Sequence, residues 1–231
     1  LSNYKFDYIF HQAAISDTRA YNQEMVMKTN VNSFYDLLKI AKKNQSVMVY
    51  ASSAATYGGL PSPQVEGNES PENPYGYSKL LMDQIAFRYA NENPNMTIVG
   101  LRFFNVYGPR EFYKAKTSSM IIQLGHQILA NKSPRLFENS NKILRDFVFI
   151  EDVVQANIKA CNVKSNGTYN VGTGISRSFK DIIDILQKEL TTSLNIEYFP
   201  NPYDGYQLNT QADITLSKEN FQYDPVFSLE Q

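Results

Sequence analysis

Two residues with complementary acid–base chemistry lie one helical turn apart in the stretch Pro74-Tyr75-Gly76-Tyr77-Ser78-Lys79. The four-residue spacing of Tyr75 and Lys79 places both side chains on one face of a helix. Tyrosine has an ordinary pKa of about 10, and a nearby ammonium favours its phenolate form. Such a pair could exchange a hydroxyl proton while a hydride moves to or from a nicotinamide cofactor. Because pairs of surface residues on helices often show the same spacing, this pair alone does not establish a catalytic function.

A second element lies upstream of Tyr75, where the hydrophobic run Val47–Ala51 leads into Ser52 and Ser53. The run predicts a buried strand, and ligands of open α/β sheets bind beyond the carboxyl ends of the strands. Ser53 could therefore hydrogen-bond a reacting hydroxyl beside Tyr75. An ordinary serine- and alanine-rich strand end has the same composition, but its position upstream of Tyr75 favours the functional interpretation.

A third element is the run of small residues in Phe10-His11-Gln12-Ala13-Ala14-Ile15-Ser16, which follows a short strand. Small side chains let a cofactor approach the backbone closely. For His11 we prefer a satisfied, partly buried histidine to any ligand role. Thr29-Asn30-Val31 is either a polar break in the following helix or a contact to the cofactor region.

The elements that must position these residues alternate between strand and helix. Apolar runs predict strands at Tyr8–Phe10, Val47–Ala51 and Ile98–Phe103, and helical spacing predicts helices over Met25–Ala41 and Tyr75–Ala90. This alternation predicts an α/β fold with a parallel sheet. In the less regular second half we predict, in chain order, helix Ser118–Ala130, strand Asp146–Ile150, helix Glu151–Ala160, strand Thr168–Val171, a helix capped by Ser178 and Asp181 that runs to about Leu190, and strand Ile196–Phe199.

Composition argues against several classes of protein. The 231 residues carry a formal net charge of −1, without the basic excess typical of proteins that bind nucleic acid or a membrane surface. Cys161 is the only cysteine, which excludes an internal disulfide and thiolate zinc sites. His11 and His126 lie far apart in sequence, so we predict no metal site. Without a signal peptide or a membrane-spanning run, we expect a cytoplasmic protein.

The three elements, in this order and spacing, resemble the extended short-chain dehydrogenase/reductase family over nearly the whole chain. Further signatures of that family are matched by Arg102–Arg110, Arg145–Val153 and Tyr169–Gly174. The resemblance implies a doubly wound, parallel Rossmann-type sheet with a smaller C-terminal substrate-binding lobe. Residues 1–110 would then belong to the Rossmann domain and residues 111–231 mainly to the lobe, with about 146–172 returning to the Rossmann domain.

Finer features resemble one branch, the ADP-glyceromanno-heptose 6-epimerases. They are Ala51–Gly59, Gly108–Glu111 followed by Lys114, Leu136–Glu138 and Thr210–Asp213. The branch converts ADP-D-glycero-D-manno-heptose to ADP-L-glycero-D-manno-heptose for lipopolysaccharide core biosynthesis. It implies bound NADP, with NAD not excluded, and a homo-oligomer. Two alternatives stay open: a UDP- or dTDP-sugar 4-epimerase or dehydratase of the same fold, and a non-catalytic NADP- or nucleotide-sugar-binding protein.

The resemblance also implies roles for individual residues. Lys114 matches a second acid–base residue, with Lys116 as a nearby competitor because the loop is longer than the family pattern. The implied catalytic residues are Tyr75, Lys114, Ser53 and Lys79. On the cofactor side lie Gln12, Ala13, Ala14, Ile15, Ser16, Thr29, Lys79, Val106 and Lys114. On the ADP-sugar side lie Asn105, Ser119, His126, Phe137, Glu138, Asn139, Ser140, Arg145 and Tyr206.

Two further expectations concern the guanidinium of Arg145 and the N-terminal part of the family's fold. The guanidinium fork of Arg145 suits a pyrophosphate, although a salt bridge to Asp146 or Asp152 is an alternative. The family's glycine-rich first turn is not found near Leu1, and the chain does not begin with Met. We therefore expect a further N-terminal segment that holds the residue separating NADP from NAD. We also expect that these 231 residues alone are poorly folded and inactive.

Overall fold

The computed structural model describes residues 4–18, 22–202 and 207–231. Its strands and main helices, in chain order, are β1 (Tyr8–His11), α1 (Gln23–Met27), α2 (Ser33–Asn44), β2 (Val47–Ser53), α3 (Pro74–Glu92), β3 (Ile98–Phe103), β4 (Asn105–Tyr107), α4 (Met120–Leu129), β5 (Arg135–Phe137), β6 (Leu144–Phe149), α5 (Ile150–Ala160), β7 (Gly167–Val171), β8 (Ser176–Ser178), α6 (Phe179–Glu189), β9 (Glu197–Phe199) and α7 (Thr215–Phe221). A π-helical turn, Lys28–Asn32, joins α1 to α2, and 3-10 turns occupy Ala54–Tyr57, Glu111–Thr117 and Ser140–Lys142.

The main sheet consists of parallel strands in the order β1-β2-β3-β7. Alternate residues of each strand face opposite sides. On one side Met48 and Tyr50 pack against α2 and α3, while on the other Val49 packs with residues of α5 and α7. The sheet is therefore covered on both faces, which is typical of parallel sheets. The predicted α/β fold with a parallel sheet is confirmed.

A smaller lobe is built from short strands and two helices. Its sheets are β4-β6-β8 and β5-β9, and its core combines residues of α4, β5, β6 and α6. Ser178 and Asp181 form the predicted capping box at the start of α6: the Ser178 hydroxyl accepts from the Asp181 backbone, and the Asp181 carboxylate accepts from the Ser178 backbone. Local capping thus fixes where α6 begins.

The structure differs from the sequence-based prediction in two places that matter. The helix predicted at Met25–Ala41 extends over residues 23–44 and is interrupted by the π-helical turn Lys28–Asn32. The segment 212–223 was assigned to the lobe, but Phe221 and Tyr223 are buried with β7 in the core of the main sheet. The domain division near residue 110 stays a prediction. None of the described helices is both long and apolar enough to span a membrane.

Candidate active site

Ser53 ends β2, in the central region of the main sheet, and starts the 3-10 turn Ala54–Tyr57. Its hydroxyl oxygen accepts a hydrogen bond from the backbone N–H of Ala55 at 3.1 Å and so caps that turn. This bond fixes the side chain at the carboxyl end of the strand, where open α/β sheets bind their ligands. The Ser53 side chain also lies close enough to Tyr75 to lower the pKa of its phenol.

Tyr75 lies in the first turn of α3, which begins with Pro74 and is capped by the side chain of Asn73. The Asn73 oxygen accepts from the Gly76 backbone N–H at 2.8 Å. Burial raises the pKa of Tyr75, and the Ser53 side chain only partly offsets this. The pKa of the Tyr75 phenol therefore lies above its ordinary value with burial as the main cause, whereas the sequence analysis expected the Lys79 ammonium to favour the phenolate. Tyr75 carries its proton at neutral pH.

Lys79 lies one turn after Tyr75, as the spacing predicts, with its Nζ 5.8 Å from the centroid of the Tyr75 ring. The side chain is only 1% exposed, and Nζ donates to the backbone oxygen of Ala51 at 2.7 Å. Burial lowers the pKa of Lys79 to about 8, although the negative charge of Asp83 opposes the shift. A buried ammonium is thus held between the end of β2 and the first turns of α3.

The π-helical turn connects the loop after β1 to α3. Asn30 is fully buried in this turn, and its side-chain oxygen accepts from the Ile15 backbone N–H at 2.8 Å. Its amide nitrogen donates to the Ile15 carbonyl at 3.1 Å and to the Ser78 hydroxyl at 2.9 Å. The sequence allowed two interpretations of Thr29-Asn30-Val31: a polar break in the helix or a contact to the cofactor region. The contacts of Asn30 with Ile15 and Ser78 match the second interpretation. The sequence analysis did not single out Asn30 itself.

A buried cluster of charged side chains is hydrogen-bonded to residues of β2. Arg102, 2% exposed, donates from Nη2 to the Asp83 carboxylate at 2.9 Å and also pairs with Glu69. Asp83 accepts from the hydroxyls of Tyr50 and Ser52, both at 2.9 Å. Sequence analysis placed Arg102 in a family signature, whereas its guanidinium is paired with buried acidic side chains inside the fold. Asp83 could have been noticed because it lies one helical turn after Lys79.

A cleft with a volume of about 690 Å³ brings many of the predicted residues together. The predicted catalytic and cofactor residues that line it are Ser53, Tyr75, Lys79, Lys114, Gln12, Ala14, Ser16 and Val106. Ala13 and Ile15 lie in the same loop after β1, and Thr29 lies in the π-helical turn beside Asn30. The Gln12 amide donates to the Asn157 side chain of α5 at 3.0 Å. With small side chains at Ala14 and Ala51 and a buried ammonium, the cleft fits a dinucleotide.

Lys114 lies in the 3-10 turn Glu111–Thr117, on a different element from Tyr75, and its exposed side chain lines the same cleft. The turn is anchored by the buried Glu111 carboxylate, which accepts from the backbone N–H groups of Gly108 and Ser119. The side chain of the competing residue, Lys116, lies outside the described part of the chain. Lys114 and Tyr75 thus line the same cleft from different elements, and the role of Lys114 stays a prediction.

The predicted substrate residues are spread over the lobe side. Ser119 caps α4, and its hydroxyl donates a hydrogen bond to the Glu111 carboxylate at 2.9 Å. Asn105 lies exposed on β4. Phe137 lines a cavity of about 650 Å³, whereas His126 lines a different cavity of about 390 Å³. Glu138 and Asn139 follow β5 and are exposed, and the hydroxyl of the buried Ser140 has no hydrogen-bond partner among the described residues. Tyr206 lies outside the described residues.

Arg145 has an environment that the sequence did not predict. Its guanidinium donates to the backbone oxygens of Leu144 at 2.8 Å and Leu208 at 3.2 Å, and also to that of Gln207. It lies over the Phe179 ring, with Cζ 5.9 Å from the centroid. Asp146 and Asp152, considered as salt-bridge partners, accept hydrogen bonds from backbone groups of other segments. A pyrophosphate would have to compete with these carbonyls for the guanidinium.

Among the described residues, no group of His, Cys, Asp and Glu side chains is arranged to hold a metal ion. His11 is half-buried and stacks on Phe34, as a partly buried histidine would. It is not satisfied as expected, however, because its Nε2 is buried without a hydrogen-bond partner in the described structure.

Residues 1–172 match the model of the NAD dependent epimerase/dehydratase family. The chain belongs to this family. The resemblance noted in the sequence is thereby confirmed, and so is the expected enzyme class, an isomerase of the epimerase type. As a member of the epimerase/dehydratase family the chain has an NAD(P)-dependent site, for which the cleft beside Tyr75 and Lys79 is the candidate.

Solved structures of other epimerases have the same fold as this family member. Helicobacter pylori ADP-L-glycero-D-manno-heptose-6-epimerase is 47% identical, with a TM-score of 0.92, and the match covers 99% of this chain and 71% of that one. UDP-N-acetylglucosamine 4-epimerase from Methanobrevibacter ruminantium is 26% identical, with a TM-score of 0.88 and coverage of 95% and 71%. UDP-glucose 4-epimerase from Thermotoga maritima is also 26% identical, with a TM-score of 0.89 and coverage of 97% and 74%.

Proposed function

We propose that this chain forms the catalytic site of an ADP-L-glycero-D-manno-heptose 6-epimerase. It would act on ADP-D-glycero-D-manno-heptose, invert C6 of the heptose, and serve lipopolysaccharide core biosynthesis. The observation that carries the proposal is that Tyr75 and Lys114, from different elements, line one cleft. The similarity to the Helicobacter pylori heptose epimerase supports the choice of substrate.

Inversion at C6 requires acid–base groups in two places. The hydroxyl oxygen at C6 points in different directions in the two epimers, so one side chain cannot easily reach both positions. Tyr75 on α3 and Lys114 on the turn after β4 approach the cleft from separate parts of the fold. One accepts the hydroxyl proton when C6 is oxidised to the ketone, and the other supplies a proton when the ketone is reduced on its opposite face.

Tyr75 is suited to the proton-donating half of this cycle. Burial raises its pKa, so it holds a proton at neutral pH and can give it to a developing alkoxide. Ser53, which lies beside Tyr75, can orient the reacting oxygen. The buried Lys79 ammonium beside the ring favours the phenolate that remains after proton transfer.

The nicotinamide cofactor supplies a hydride acceptor and donor when it is bound. We infer that Lys79 holds a ribose hydroxyl and that the loop from Gln12 to Ser16 lies along the cofactor. By resemblance to the heptose epimerases we propose NADP rather than NAD. Chromatography of the nucleotide released from the denatured full-length protein distinguishes the two.

The proposed function is tested by incubating the full-length protein with ADP-D-glycero-D-manno-heptose and following the L-glycero epimer by NMR. We expect Lys114→Ala and Tyr75→Phe each to lower the rate by about 100-fold or more. Lys132→Ala, which changes an exposed lysine after α4, is the matched control and should retain the full rate. Failure of the wild-type protein to form the epimer would overturn the proposal.

A second candidate is a UDP-sugar 4-epimerase, which the structural match to two such enzymes favours. A 4-epimerase needs only one tyrosine, because the whole ketosugar ring can turn over between the two hydride transfers. Turnover of UDP-glucose at full rate by Lys114→Ala would identify this activity. A rate that depends on Lys114 argues for the two-base reaction.

A further inference from the structure

His11 lies on the strand next to β2, which carries Ser53 at its end. It is the last residue of β1 and stands opposite Tyr50 in the sheet register. Its ring stacks on Phe34 of α2, with centroids 5.9 Å apart and planes 24° apart. Nε2 is buried and has no hydrogen-bond partner among the described residues. Buried polar atoms without a partner are rare, and an ordered water or a neighbouring donor usually explains them.

Lys79 is the charged side chain that acts on this histidine. Burial and the positive charge of Lys79 both lower the pKa of His11, which keeps the imidazole neutral at physiological pH. Tyr50 of β2, the register partner of His11, is titratable too, and its hydroxyl is directed to Asp83. Phe34, the contact from α2, is uncharged. His11 pairs in register with Tyr50, and the Lys79 ammonium donates to the oxygen of Ala51, the next residue of β2, so both side chains lie at the same end of the adjacent strands β1 and β2.

The ammonium of Lys79 has more donors than its described partners use. It carries three N–H groups. One of them is directed to the Ala51 oxygen. In the proposed function a second is directed to the cofactor ribose, which leaves one donor. An acceptor on the side of His11 would complete the set and hold the ammonium in one place.

We propose that His11 is a positioning residue for Lys79, and that its neutral Nε2 accepts a hydrogen bond from the Lys79 ammonium through one buried water. His11 does not line the cleft and acts only through Lys79. The proposal rests on the proposed role of Lys79 at the cofactor and is independent of which nucleotide sugar is the substrate. The proposal explains why Nε2 is present, because stacking on Phe34 needs only an aromatic ring and no ring nitrogen.

Three substitutions in the full-length protein separate positioning from stacking. His11→Phe keeps an aromatic ring against Phe34 and removes both nitrogens. His11→Gln places an amide near the position of Nε2, and His11→Asn places one near Nδ1. NADP affinity is measured by the fluorescence of the reduced nucleotide between pH 6.5 and 9.5. Lys79→Ala is measured in parallel.

For His11→Phe we expect NADP affinity at pH 8 to fall by about 3- to 10-fold, which corresponds to one lost hydrogen bond. The loss of affinity on the alkaline side should begin about 0.5 to 1 pH unit lower, because the Lys79 ammonium loses an acceptor. His11→Gln should bind within about twofold of the wild type. His11→Asn should resemble His11→Phe.

Unchanged binding and pH dependence in His11→Phe would overturn the proposal, and so would equal losses in the Gln and Phe variants. If Lys79→Ala leaves NADP binding unchanged, the cofactor role of Lys79 fails, and the positioning role fails with it. A defect in Lys79→Ala without one in His11→Phe rejects only the role of His11. Imidazole NMR checks the neutral state directly, and His11→Phe assigns its signals.

Discussion

The side-chain amide of Asn30 donates to the hydroxyl of Ser78 at 2.9 Å, and this bond ties the π-helical turn to the helix that carries Tyr75 and Lys79. The same side chain holds both backbone groups of Ile15, in the loop that lines the cleft. One buried amide thus fixes the distance between the candidate cofactor loop and the catalytic helix.

Replacing Asn30 with alanine should therefore affect both folding and catalysis. Three hydrogen bonds are lost, one of them buried and two part-buried, so we expect the free energy of unfolding to fall by about 1 to 3 kcal/mol. We expect kcat to fall by about tenfold to a hundredfold because the loop and α3 lose their alignment. Urea unfolding and steady-state kinetics measure the two effects. Asn32→Ala, an exposed position in the same turn, should change neither.

Gly76 sets how closely α3 approaches the turn after Ser53. A Cβ atom at this position would lie 2.5 Å from the backbone oxygen of Ala55, so the helix would have to move. Gly76→Ala should destabilise the protein by about 1 to 3 kcal/mol and lower kcat, since Tyr75 precedes it directly. Gly125→Ala in α4 is the matched control. Its Cβ would meet Leu186 at 3.9 Å, an ordinary contact, and full activity is expected.

The buried Lys79 should make stability depend on pH in a definite direction. Its pKa falls from 10.5 in the unfolded chain to about 8 in the fold, so the unfolded state binds more protons between these values. The free energy of unfolding therefore rises as pH increases through this window, by about 2 kcal/mol between pH 7.5 and 9.5. Lys79→Met should remove this rise in urea titrations. Lys39→Met, at an exposed position on α2, should preserve it.

Removal of the Asp83 carboxylate should be costly because its partners are buried. Asp83→Asn breaks the ion pair with Arg102 in a site where both side chains are at most 5% exposed. We expect a loss of about 3 to 5 kcal/mol in the free energy of unfolding. Since Asp83 raises the pKa of Lys79, the alkaline limb of activity should also move to lower pH. Asp184→Asn, which breaks the exposed pair with Lys180, should have little effect on either measurement.

Local patterns were sufficient to predict much of the fold. Apolar runs gave the strands of the main sheet, and the spacing of Tyr75 and Lys79 correctly placed both at the start of α3. The π-helical turn was missed because it depends on hydrogen bonds from Asn30 to Ile15 and Ser78, which are distant in sequence. The strands β4, β5 and β8 were missed, whereas the equally short β9 was predicted from the run Ile196–Phe199.

The pKa shifts and ion pairs of the site were harder to predict than which residues line it. Sequence spacing shows that an ammonium lies near Tyr75, but the extent of burial decides the direction of its pKa shift. Arg102 and Arg145 are both engaged by groups of distant segments, Asp83 in one case and the 207–208 backbone in the other. The roles assigned to individual site residues stay predictions until the variants described above are measured.

The return of the 212–223 segment to the main sheet has a consequence for synthesis on the ribosome. Phe221 and Tyr223 complete the core on the α5 side, and the Tyr223 hydroxyl donates to the Gly172 oxygen at 2.9 Å. The part of the protein that is made first therefore cannot close its own core until these late residues have left the exit tunnel. We expect a truncation that removes Phe221 and Tyr223 to damage the cofactor side as much as the substrate side.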